Sequence, residues 1–78
     1  MQKPDPVAIN KRLQKALIAH RKEQGITQVE LAEKLGKPQS FVSKYETGER
    51  KLTVGDFLLV ARILKTDAAL ILSEIDSK

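Results

Sequence analysis

Apolar residues recur at helical spacing along this chain, and glycine interrupts them three times, at Gly25, Gly36 and Gly48. Each glycine falls just past a run of one to four turns, where a helix ends most readily. The pattern predicts five helices and no strands. Asp5-Pro6 opens the first, with Asp as N-cap and Pro at the first helical position. Ile9, Leu13, Ala16, Leu17 and His20 mark its apolar side, and Gly25-Ile26 closes it. Thr27-Gln28-Val29-Glu30 is a capping box that starts a short second helix, with Leu31, Ala32 and Leu35 inside and Glu30, Glu33 and Lys34 outside. Pro38 starts the third, with Val42 and Tyr45 inward, and Gly48 closes it. Thr53 caps a fourth, with Asp56 in the box position and Phe57, Leu58, Ala61 and Leu64 as core. Asp67 caps a fifth that carries Leu70, Ile71 and Ile75. Residues 1–5 are expected to form a flexible arm and 6–76 a single domain.

A chain of 78 residues allows one domain, and one this small buries roughly 60% of the surface of its unfolded chain. It has no cysteine, so neither disulfides nor thiolate ligands staple it, and its one histidine, His20, builds no metal site alone. His20 reads as a core-edge residue without a function. No signal-peptide run and no membrane-spanning stretch occurs, so a soluble, cytoplasmic protein is expected. Charge is distributed unevenly. Residues 1–51 carry 11 Lys/Arg against 6 Asp/Glu, and residues 52–78 carry 3 against 4. The basic part suits a polyanion, though ordinary solubilising charge gives the same balance.

The second and third helices, joined at Gly36, have the spacing of a helix-turn-helix. The small Ala32 stands where two helices must cross closely, and Gly36 tolerates the left-handed turn. With Leu31, Leu35, Val42 and Tyr45 turned inward, Gln39, Ser40, Ser43 and Lys44 point outward from the third helix. These side chains can be a solvated face, or they can read base edges. A Gln amide pairs with N6/N7 of adenine, a Lys donates to O6/N7 of guanine, and Ser fits a base edge or a phosphate.

Two stretches carry a more specific likeness, "R-x-x-x-G-I-T-Q-x-E-L-A-x-x-L-G" from Arg21 to Gly36 and "Q-S-F-V-S-K-Y-E-T-G" from Gln39 to Gly48. The segment Leu17 to Leu72 resembles the Cro/C1-type (XRE) helix-turn-helix family of bacterial and phage transcription regulators. The resemblance implies an all-α, lambda-repressor-like bundle of five helices. It implies that Gln39, Ser40, Ser43 and Lys44 read bases. Gln28 would contact a phosphate and brace the first base-reading side chain. Thr47 and Gly48 would begin a loop whose amides approach a phosphate, and Arg21 and Glu46 would pair between the first and third helices. Lys37, Arg50 and Lys51 stand as phosphate contacts or as solvated charges. Phe41 either covers the region of Leu52 or touches a thymine methyl. The sequence departs from the family at Pro38, where Ser or Thr usually caps, at Lys65, where Gly commonly ends the fourth helix, and at Ile18, which replaces a frequent Arg. The first 16 residues have no strong family parallel.

The function expected is sequence-specific binding of double-stranded DNA by a transcriptional regulator, a repressor on a pseudo-palindromic operator, with no cofactor, metal or catalytic role. The rival is an antitoxin or other interaction module on the same fold, with a toxin-like partner. Leu59, Val60 and Ile63, with Leu70, Ile71, Leu72 and Ile75, exceed what one thin core requires. The last four are therefore candidates for a homodimer interface.

Overall fold

The computed structural model describes residues 5–76, so the expected arm lies outside the described residues except for Asp5. Five helices follow in order: α1 (Pro6–Glu23), α2 (Gln28–Leu35), α3 (Gln39–Thr47), α4 (Val54–Ile63) and α5 (Ala68–Asp76). No strand occurs among these residues.

The helix ends follow the local chemistry of the sequence. Asp5 Oδ1 accepts from the Val7 amide at 3.0 Å. Both halves of the Thr27–Glu30 capping box are present: Glu30 N–H donates to Thr27 Oγ1 at 3.1 Å and Thr27 N–H to Glu30 Oε1 at 2.9 Å. Hydrogen bonding from the Thr27 backbone amide, and then from its side chain, holds the Glu30 carboxyl below its usual pKa. At α4 only the hydroxyl half forms, with Asp56 N–H donating to Thr53 Oγ1 at 3.1 Å. The Asp side chain is one methylene shorter than Glu and makes no return bond. Asp67 Oδ1 accepts from the amides of Ala69 at 2.9 Å and Leu70 at 3.4 Å.

The turn between α2 and α3 has Gly36 at φ +69°. Gly36 N–H donates to Glu33 O, and Lys37 N–H reaches back to Ala32 O at 3.0 Å. This is a Schellman closure, which leaves few carbonyls unsatisfied. The same closure ends α4, where Thr66 N–H donates to Ala61 O at 3.0 Å, but the left-handed residue there is Lys65, at φ +55°. The departure from glycine therefore does not open the turn; the side chain is carried in a region that L-residues disfavour.

The core runs through all five helices: Leu17, Leu31, Ala32, Val42, Tyr45, Phe57, Val60, Ala61, Leu64 and Ile71 are buried. On α4 the stripe is Phe57, Val60, Ala61 and Leu64, spaced i, i+3, i+4, i+7. Leu58, expected inside, is 43% exposed, because the stripe set by Phe57 passes through Val60 instead. On α5, Ile71 and Ile75 are buried and Leu70 is turned outward. Arg12 Nε donates to Ile75 O at 2.8 Å and ties the first half of α1 to the last turn of α5.

Candidate nucleic-acid interface

Helix α3 has two faces. Phe41, Val42 and Tyr45 are buried against the core, and Gln39, Ser40, Lys44 and Thr47 are exposed. Ser43 is half-buried, and its hydroxyl donates to Ser40 O at 3.3 Å. Thr47 Oγ1 likewise donates to Lys44 O at 3.1 Å. Pro38 holds the N-cap position with an extended backbone and offers no side-chain acceptor. The polar side chains thus occupy the face that the core leaves open.

A chain of hydrogen bonds runs from α1 to the start of that face. Arg21 Nε donates to Glu46 Oε2 at 2.7 Å, and Arg21 Nη2 to Glu46 Oε1 at 3.1 Å. Arg21 Nη1 donates to Ile26 O at 2.9 Å. Gln28 Nε2 donates to Glu46 Oε1 at 2.9 Å, and Gln39 Nε2 donates to Gln28 Oε1 at 3.4 Å. The two charged side chains keep only 10% and 6% of their surface exposed. The Glu46 hydrogen bond raises the Arg21 pKa further above its usual range, against the opposing effect of burial. The pairing with Glu46 fixes Gln28, and Gln28 in turn orients Gln39.

Two basic side chains expected near phosphates share one ring. Lys37 Nζ lies 5.5 Å, and the Arg50 guanidinium carbon 4.8 Å, from the Phe41 ring centre. Phe41 itself is 6% exposed and meets Tyr45 edge-on, with centroids 5.9 Å apart. It packs with the core and positions two cations, which leaves it almost no surface to offer a thymine methyl. Lys51 is exposed on the loop that follows α3.

The four residues expected at a dimer interface divide into two pairs. Ile71 is fully buried and Ile75 is 6% exposed within a single chain, so the expectation is corrected for both. Spaced four apart, they form the inward stripe of α5. Leu70 and Leu72 stay 56% and 47% exposed. No group of three His, Cys, Asp or Glu side chains among the described residues could hold a metal ion, and no described helix is long and apolar enough to cross a membrane.

The helix-turn-helix family profile matches residues 17–71, the span from the second half of α1 into α5. An XRE-family-like protein from Pseudomonas syringae pv. tomato str. DC3000 is similar over 90% of this chain and 85% of its own, at 44% identity and a TM-score of 0.86. The chain belongs to the Cro/C1-type (XRE) helix-turn-helix family. No curated protein matches it significantly. XRE proteins are DNA-binding regulators, and α2 and α3 are the helix-turn-helix of this member.

Proposed function

We propose that this XRE-family chain is a sequence-specific transcriptional regulator that sets α3 in the major groove of duplex DNA. The observation that carries this reading is the exposed polar face of α3, with Gln39 held at its start through Gln28 and the Arg21–Glu46 pair. A braced side chain loses less freedom when it meets a base, and Gln39, Ser40, Ser43 and Lys44 are the base readers. Gln28, Lys37, Thr47, Arg50 and Lys51 contact phosphates around them, which sets register and supplies affinity. The protein acts as a repressor by occupying the operator. It binds as a homodimer to a pseudo-palindromic site, since leucines stay exposed on both α4 and α5.

The test is selection of bound duplexes from a random pool, with wild type and with Gln39→Ala. Wild type should recover a site of two related halves, and Gln39→Ala should lose preference at one position of each half. A pool that shows no enrichment over the starting sequences, or the same site from both proteins, sinks the base-reading assignment. If an antitoxin role were correct instead, a small co-expressed protein partner would purify with the chain.

A further inference from the structure

The first half of α1 lies before Leu17 and so outside the stretch that the helix-turn-helix profile matches. It is nevertheless built into the molecule. Arg12 ties it to α5, and Leu13 and Ala16 pack against the core. Its other side carries Asn10, Lys11 and Gln14. These face Thr47, Gly48 and Lys51, at the end of α3 and on the loop after it, across a cleft of about 190 Å³.

The walls of the cleft are close at Gly48. A Cβ added there would stand 3.2 Å from Gln14 Nε2 and 3.3 Å from its Oε1, and the backbone has φ +91°. The Arg50 amide returns to Lys44 O at 3.1 Å and folds the loop back over the end of α3. Two lysines, two side-chain amides and Thr47 therefore line the cleft beside Val7, and no carboxylate does. Deeper in, Asn10, Gln14 and Lys51 also border a chamber of about 10 Å³ with Tyr45, whose buried hydroxyl has no partner in the protein. Two cationic side chains with no carboxylate beside them suit an anion with several oxygens.

We infer that this cleft binds a backbone phosphate of duplex DNA, and that the first half of α1 widens the footprint beyond what the helix-turn-helix reaches alone. The phosphodiester is favoured over an acidic protein because the cleft is continuous with the expected phosphate contacts Thr47 and Lys51. The inference rests on the DNA-binding reading above. It adds Asn10, Lys11 and Gln14 as the residues that do the holding.

Salt dependence tests it. Binding of a labelled random-sequence duplex is measured by fluorescence polarisation across a range of salt for wild type, Lys11→Ala, Lys11→Arg, Asn10→Ala and Arg62→Ala. Arg62, exposed at the last turn of α4, controls for the loss of one charge. Lys11→Ala should reduce the slope of log K against log salt by about 0.9, so that affinity at about 0.1 M falls by up to about eightfold and the difference closes towards 1 M. Lys11→Arg should keep the wild-type slope, and Asn10→Ala should weaken binding severalfold without changing the slope. Lys11 and Asn10 lie outside the buried core, and circular dichroism verifies that each variant is folded. Equal slopes for Lys11→Ala and Arg62→Ala, with wild type still bound, overturn this inference alone. A wild type that binds no duplex overturns the regulator reading and this inference with it. A Lys11 dependence seen with polyglutamate and not with the duplex assigns the cleft to an acidic protein and overturns it as well.

Discussion

Gln28 donates to Glu46 at 2.9 Å and accepts from Gln39 at 3.4 Å, so one amide joins the internal ion pair to the first residue of the exposed α3 face. The side chain expected to brace Gln39 does so, and its own brace is the carboxylate 18 residues further along. Fold stability and the proposed base reading meet in that amide, and substitutions on its two sides should separate them.

On the stability side, Glu46→Ala should cost about 3–5 kcal/mol. It leaves the nearly buried Arg21 guanidinium with only the Ile26 carbonyl and strips Gln28 of its acceptor. For a domain of this size that is a loss of Tm of roughly 12–40 °C. Thermal unfolding followed by circular dichroism reads it. A shift of only one or two degrees would mean that water replaces the carboxylate at little cost.

On the recognition side, Gln39→Ala should cost about 1–3 kcal/mol of affinity for a selected operator. Gln28→Ala should cost a comparable part of that through the loss of the brace, while moving stability by only about 1 kcal/mol. The double mutant should be less impaired than the sum of the two, by about 0.5 kcal/mol or more. Strict additivity in the cycle would show that Gln28 and Gln39 act on DNA independently.

The helix boundaries were legible because their causes are local. Thr27, Glu30 and Gly36 act within one turn of where they stand, and their geometry follows from the residue type. The choice between Leu58 and Val60 on α4, and the inward turn of Ile71 and Ile75, depend on how α4 and α5 meet the rest of the bundle. Apolar residues flank both stripes, so composition leaves those choices open. The Arg21–Glu46 pair was legible only through the family likeness, since nothing local links residues 25 positions apart. Phe41 was ambiguous for a related reason: its role depends on Arg50, which a glycine turn carries back over the ring.

Lys65→Gly should stabilise the protein. Lys65 adopts φ +55° to close α4, a region that costs an L-residue about 1–2 kcal/mol. Glycine removes that strain and returns about half of the gain as added freedom in the unfolded chain. A net gain of about 0.5–1 kcal/mol, a Tm higher by about 2–8 °C, is expected. A lower Tm would show that the lysine side chain makes a contact worth more than the backbone strain.

Tyr45 should make the fold sensitive to alkali. Burial raises the pKa of its hydroxyl well above the ordinary value near 10, and the neighbouring Glu46 carboxylate adds to the rise. The unfolded chain therefore releases this proton first as pH rises. The stabilising difference is intact below about pH 10 and is lost progressively above it, up to the folded-state pKa. Tyr45 is the only tyrosine, so tyrosinate absorbance follows it directly and should rise together with unfolding. Tyr45→Phe should be no less stable at neutral pH, because the buried hydroxyl lacks a protein partner, and should lose this part of the alkaline decline. An ordinary tyrosine titration in the folded protein would contradict the burial.

Leu72→Asp should separate folding from assembly. Leu72 is 47% exposed, as are Leu58, Leu59 and Leu70 to similar degrees, and all four lie on α4 and α5. That part of the chain is almost neutral, with 3 basic and 4 acidic residues from position 52 onward, so two copies can meet there without strong repulsion. A two-fold pairing would cover the leucines and place the two α3 helices roughly 34–36 Å apart, one turn of DNA. Ile71→Asp is the wrong probe, since Ile71 is fully buried and a charge there would unfold the monomer. At an exposed position the substitution should change stability by no more than about 0.5 kcal/mol. In sedimentation at tens of micromolar, wild type should run as a dimer and Leu72→Asp as a folded monomer, with weaker binding to a two-half site and unchanged binding to a single half. Wild type that stays monomeric at every concentration, with Leu72→Asp indistinguishable from it on DNA, would remove α4 and α5 as the assembly surface.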